Sequence, residues 1–238
     1  MHVQDNKAFT HWDKAQLALS QCDYFCSEIN LSEAQSKVST EDYLLPNELR
    51  ISSLVTPRRY AKMCKILMHS FNFDLDQWDR FLPMIVINRL AENLLSKDNA
   101  RPLDSQLWAE ATKLKLSCDG LETLAEQLRL LKSLAVKEQL QQLEGACRNI
   151  SKFRLSITRV TNIYEAEDIS NLYKLTKKSL GNFKSSLLYD RNRIMARRIK
   201  NRVEQKTFYA VGAAHLAGAY GVLPLLKELG YRVKPIMN

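Results

Sequence analysis

Apolar and polar positions repeat along this chain with two different periods, and the change of period marks its parts. Short apolar runs bounded by turn residues occur near 24–29 (YFCSEI), 116–121 (LSCDGL), 207–211 (TFYAV) and 231–233. Runs of this length read as strands. Elsewhere the spacing is helical. Lys7 to Gln21 carries Phe9, Trp12, Ala15, Ala18 and Leu19 on one side, and Thr56-Pro57 supplies an N-cap and a first-turn proline for a helix to about Ser70. Further helices are expected over Asp76–Leu95, where Trp78 and the nearby His69 join the packing, and from Pro102 to about Lys113. Thr123 and Glu126 form a capping box that starts a helix directly after Glu122. Ala135 to Val203 is almost wholly helical, with a break around Thr161–Glu167.

The segment Thr207–Val233 reads as strand, turn, helix (about Tyr220–Leu229) and strand, a βαβ-type unit that implies parallel pairing. The predicted fold is therefore α/β: a small, mostly parallel central sheet in one domain of residues 1–238, with helical insertions at about 56–113 and 135–203.

Charge and composition narrow the picture. The 238 residues carry a net charge of +9, densest at Arg191, Arg193, Arg197, Arg198, Lys200 and Arg202. On a helical wheel Arg193, Arg197 and Lys200 point away from the stripe of Leu188, Met195, Ile199 and Val203, and no aromatics interleave. That is a solvated helix face, and it argues against nucleic acid as a partner. Asn192 falls within the apolar stripe and Arg191 at its edge, where polar groups need partners. No apolar run reaches membrane-spanning length, and the first residues show no signal-peptide pattern. The five cysteines, Cys22, Cys26, Cys64, Cys118 and Cys147, are odd in number and lack a CxxC pair. They read as small core residues rather than a disulfide framework.

Candidate chemistry collects at strand ends. Gly212, Gly218, Gly221 and Gly230 are four of the seven glycines, and His215 follows Gly212 just past a strand's C-terminal end, where open α/β sheets hold their sites. An imidazole there is either a ligand or base, or a packed histidine capping a turn. Glu28 lies near the end of its strand and is either a site carboxylate or a solvent-facing group on an edge strand. Glu122, at a strand-to-helix junction, is either a site carboxylate or a favourable charge at the helix N-terminus.

Several motifs together resemble one family. They are His2-Val3 with Ala8-Phe9, Cys22-Asp23 through Ser27-Glu28-Ile29, Pro102-Leu103-Asp104, Gly120-Leu121-Glu122-Thr123 with Glu126-Gln127, Arg191-Asn192-Arg193 with Met195-Ala196, and Val211-Gly212-Ala213-Ala214-His215-Leu216 with Gly218, Gly221-Val222 and Gly230-Tyr231. In this combination and order the chain resembles the TraB/PrgY/GumN family, which includes the TIKI-type metal-dependent proteases. The resemblance implies two Gly-x-x-His motifs, with Gly212 and His215 forming the second. His2 resembles the histidine of the first, whose glycine would lie before Met1, so the first strand of the family's sheet is expected to be missing. An exposed sheet edge is then expected beside Tyr24–Ile29, where a second copy could pair.

By the same resemblance Glu28 and Glu122 match the family's acidic positions, and Arg191-Asn192 its Arg-Asn pair. This implies a divalent metal (Mn, Co or Zn) on His2, His215 and Glu28, with Glu28, Glu122, Arg191 and Asn192 taking part in hydrolysis and Gly212 and Arg191 holding a peptide or small-molecule substrate. The alternative it implies is a non-catalytic peptide- or haem-binding protein. Relatives are often exported or membrane-anchored.

Overall fold

The computed structural model describes residues 3–33, 39–202 and 205–236. Three strands, β1 (Tyr24–Ile29), β2 (Ser117–Glu122) and β3 (Thr207–Ala210), form a parallel sheet in the order β2-β1-β3. Phe25 faces Cys118 on one side and Phe208 on the other, and Ile29 faces Glu122. Around the sheet run α1 (Trp12–Ser20), α2 (Pro57–Phe71), α3 (Pro83–Glu92), α4 (Leu103–Lys113), α5 (Leu124–Ser133), α6 (Val136–Arg148), α7 (Ile150–Glu165), α8 (Ile169–Leu180), α9 (Arg191–Lys200) and α10 (Val222–Glu228). The fold is α/β with a large helical portion, as the periodicity predicts.

The sheet is covered on both faces, which is why β1 reads as a nearly unbroken apolar run. Phe25 packs with Leu19 of α1 and Leu107 and Ala111 of α4. Cys26 points the other way, to Leu121, Met195 and Ile199 of α9, and Val222 of α10. Gly120 is required where β2 meets β1, because a Cβ there would lie 2.4 Å from Asn30 N. A separate helical core lies off the sheet. It is built on Leu67 of α2, Val86 and Leu90 of α3 and Leu143 of α6.

Several expectations are corrected by this arrangement. Residues 231–233 form no strand; the Tyr231 N–H bonds back to Leu226 O and extends the end of α10. Tyr24–Ile29 is not beside an open edge, since β1 is paired on both sides and the outer edges belong to β2 and β3. The helix expected over Asp76–Leu95 is interrupted. A single 3-10 turn at Asp76–Trp78 ends, Phe81 bridges to Leu44, and α3 restarts at Pro83, whose ring excludes a preceding helical turn. Lys7–Gln21 likewise splits into a 3-10 turn (Asn6–Phe9) and α1.

His69 is exposed on α2 rather than packed, whereas Trp78 stacks near Phe73 and Phe81. All five cysteines are free; Cys26 and Cys147 are buried, and the other three are half-buried. No helix among the described residues is long and apolar enough to cross a membrane.

Candidate functional site at the carboxyl ends of the strands

Parallel strands that share a direction present their C-terminal ends together, and here each delivers one group. Glu28 is the penultimate residue of β1 and Glu122 the last of β2. His215 stands in the 3-10 turn Ala213–His215 that follows β3. The capping box of Thr123 and Glu126 turns the chain sharply after Glu122, so its carboxylate stays at the sheet's rim.

The fourth group comes from a helix. A π-helical stretch, Ser185–Asp190, runs directly into α9, whose first residue is Arg191. Such wide turns are rare and are enriched at functional positions. Arg191 Nε donates to Glu122 Oε1 and Oε2 at 3.1 and 3.0 Å, and Nη2 donates to Glu122 Oε2 at 2.6 Å and to Glu28 Oε2 at 2.8 Å. One guanidinium therefore joins the carboxylates of two neighbouring strands. Side-chain exposures of 15% for Arg191, 5% for Glu122 and 28% for Glu28 put the cluster mostly out of water, where an unpaired member would be costly.

Two further donors complete the carboxylates' hydrogen bonds. Glu28 Oε1 accepts the Gly212 N–H at 2.6 Å, and Gln127 Nε2 donates to Glu122 Oε2 at 3.1 Å. The backbone approach at Gly212 needs a residue without Cβ, since an added one would sit 2.9 Å from Glu28 Oε1 and 3.5 Å from His215 Cδ2.

The hydrogen-bond chain behind His215 fixes its proton. The Tyr220 carbonyl can only accept, so the Asn192 nitrogen 2.7 Å from it is Nδ2, and Asn192 Oδ1 faces His215 Nδ1 at 2.5 Å as an acceptor. Nδ1 therefore carries the hydrogen. The Nε2 lone pair is left facing the cluster, 3.4 Å from Arg191 Nη1. Asn192 is fully buried and both ends of its amide are engaged.

Charge states follow from the surroundings. Burial pushes His215 below the usual imidazole range, and Arg191 adds to this against the pull of Glu28. Burial works to raise the Glu28 carboxyl, but the Arg191 guanidinium and the Gly212 N–H hold it below the usual carboxylate range. Beside the cluster, the hydrogen bonds from Arg198 pull Glu126 down to about 2. The site thus offers an ionised carboxylate, a neutral imidazole lone pair and a fixed cation.

The sequence model of the TraB/PrgY/gumN family matches residues 1–235. This chain belongs to the TraB/PrgY/gumN family. Within that family, it is 26% identical over 221 residues to a protein of Xenopus tropicalis named metalloprotease TIKI1, a match covering 78% of this chain and 43% of that protein. Metalloprotease TIKI1 of Danio rerio is 23% identical over 254 residues, covering 91% and 51%. A protein of Amphimedon queenslandica named metalloprotease TIKI homolog is 23% identical over 295 residues, covering 98% and 58%. The chain spans about half the length of the curated relatives it matches. No solved structure matches it significantly.

In this member of the TraB/PrgY/gumN family, Glu28, Glu122, Arg191, Asn192, Gly212 and His215 are brought into one hydrogen-bonded group. His2 lies outside the described residues. Two members of the group were not singled out as site residues in the sequence. Gln127 could have been found from the capping box, which sets a helix start that carries it one turn past Thr123, back towards Glu122. The Tyr220 contribution is a main-chain carbonyl and leaves no side-chain signal.

A metal would have to share this space. The Nε2 lone pair of His215 and the Glu28 carboxylate suit a divalent cation in kind. Among the described residues, however, no group of three or more His, Cys, Asp or Glu is arranged to hold one, and both carboxylates are turned onto Arg191. The described residues alone do not fit a complete metal site.

Proposed function

We propose that the protein is a hydrolase of the TIKI type acting on peptides, at the cluster of Glu28, Glu122, Arg191 and His215. The observation that carries this reading is the convergence of an ionised carboxylate, a lone-pair imidazole and a cation at the ends of three parallel strands, in a family whose curated relatives are named metalloproteases. Without a metal, Glu28, kept ionised, is the candidate base for a water molecule; with one bound it would be a ligand instead. Arg191 Nη1 makes the longest of that side chain's contacts, to His215 Nε2 at 3.4 Å, and is the edge that would meet an oxygen that gains charge in the reaction. Asn192 acts as a positioning residue that keeps Nε2 of His215 deprotonated.

The divalent metal, Mn, Co or Zn, belongs to the same proposal. It would take His215 and Glu28 as ligands, with His2 as the expected third, and when bound it would acidify a water and polarise a carbonyl. The test is metal content and peptidase activity of the protein and of His215→Ala. Loss of both in the variant is expected; activity unchanged by the substitution overturns the assignment.

One observation favours a second reading. Arg191 already pairs with both carboxylates, as it would in a non-catalytic peptide- or haem-binding protein whose cluster is a framework. A peptide that binds and is recovered uncleaved, from protein without metal, supports that reading instead.

A further inference from the structure

A cavity of about 300 Å³ opens beside the cluster, on the other side of the turn that carries His215. Its lining includes His11, Tyr164, Glu167, Ile169, Leu172 and Ala213. Ala213 sits between Gly212, whose N–H holds Glu28, and His215, so cavity and cluster share one turn. The other walls come from His11, just before α1, from the end of α7, from the turn after it and from the start of α8. Lys7 ties the N-terminal segment to α7 through Asn162 and Glu165, and the Asp168 side chain caps α8.

Two features separate this cavity from a packing fault. Its walls are mainly apolar with a few convergent polar groups, and its volume lies at the lower end of the range of small ligand pockets. In addition, its polar groups are set by the fold: His11 Nε2 stands 3.2 Å from Glu167 Oε1, and the Asp168 side chain caps α8.

We propose that this cavity receives one apolar side chain of the bound peptide, beside the Gly212–His215 turn. The inference rests on the peptide reading above and adds the specificity: an aliphatic or aromatic residue next to the bond held at the cluster. An acidic side chain would meet Glu167 and Asp168 at the rim and be disfavoured.

The experiment uses fluorescein-labelled pentapeptides, Ala-Ala-X-Ala-Ala with X as Ala, Leu, Phe or Asp. Binding is read by anisotropy, and cleavage in the same samples by mass spectrometry. Leu and Phe peptides are expected to bind about ten- to hundredfold more tightly than the Ala peptide, the effect of burying one such side chain. Ile169→Trp fills the cavity from a half-buried position and should remove that preference, so that the variant binds the Leu, Phe and Ala peptides alike. Ile169→Ala should instead shift the preference towards Phe, and it covers the case in which the larger substitution unfolds the protein.

A preference that survives Ile169→Trp in the folded variant, or no binding of any of the peptides, overturns the proposal. Preference lost in the variant without cleavage by the parent protein keeps the pocket and removes the hydrolase reading. Cleavage with no side-chain preference does the reverse.

Discussion

Replacing Arg191 with Met deletes the one cation between two carboxylates and keeps the side chain's length. In the native protein its guanidinium makes contacts of 2.6 to 3.1 Å with Glu122 and of 2.8 Å with Glu28. Exposures of 15% and 5% for Arg191 and Glu122 leave little solvent to screen the loss. Removing one partner of such a buried pair costs about 3–5 kcal/mol, most of it from the charge left behind. For a chain of this size that lowers the melting temperature by about 6–20 °C. The loss should also depend on pH. In the variant Glu28 and Glu122 repel without a counter-ion, so protonating one of them relieves the strain, and the deficit should shrink on acidification from pH ~7 to pH ~4.5.

A second substitution separates cause from accident. Arg191→Met with Glu122→Gln leaves one carboxylate unopposed instead of two, and should recover about 0.5–3 kcal/mol over the single variant. Urea unfolding at the two pH values measures all of this. A loss under about 1 kcal/mol against that 3–5 kcal/mol expectation, or one equal at both pH values, would refute the view that the guanidinium holds the two carboxylates together.

Gly212→Ala places a methyl 2.9 Å from Glu28 Oε1; the expected result is a destabilisation of about 1–3 kcal/mol, as for other overpacked sites, and weakened peptide turnover, both absent if the carboxylate has room to move. The native protein should lose stability as the solution turns acidic. His215 sits below its ordinary value, so the unfolded chain takes up a proton first and stability falls as pH drops below about 6.5. Glu28, also depressed, adds a second loss as pH falls below about 4.3. Unfolding curves of the native protein and of His215→Gln between these values check the first part, since the variant should lack the upper step.

What the sequence disclosed follows from which signals are local. The helix starts at Pro57 and Leu124 were legible because Thr56 and Thr123 cap them with their own side chains. The carboxylates were legible as strand-end groups. The central place of β1 was not, because pairing order is set by non-local crossovers, and a buried run such as Phe25–Ser27 has the same local pattern in any position of a covered sheet. The failed strand at 231–233 shows the same limit: three apolar-leaning residues acquire ladder geometry only if an edge is offered to them. In the site, side chains announced themselves and the Tyr220 carbonyl did not. Arg191 was expected to meet the substrate; its fork closing on both carboxylates required knowing that strands 24–29 and 117–122 are neighbours.

The relay that ends on Tyr220 ties the site to a loop in an unusual way. The acceptor is main chain, so position 220 is free to change its side chain without altering which ring nitrogen of His215 bears the hydrogen. The loop's path is not free in this sense: a Cβ at Gly221 would meet the carbonyl oxygens of Leu216 and Ala217 at 2.4 Å. Diversification can therefore remodel the surface of the 216–221 loop while its course stays fixed, and the imidazole keeps its chemical identity through changes that would look drastic in an alignment.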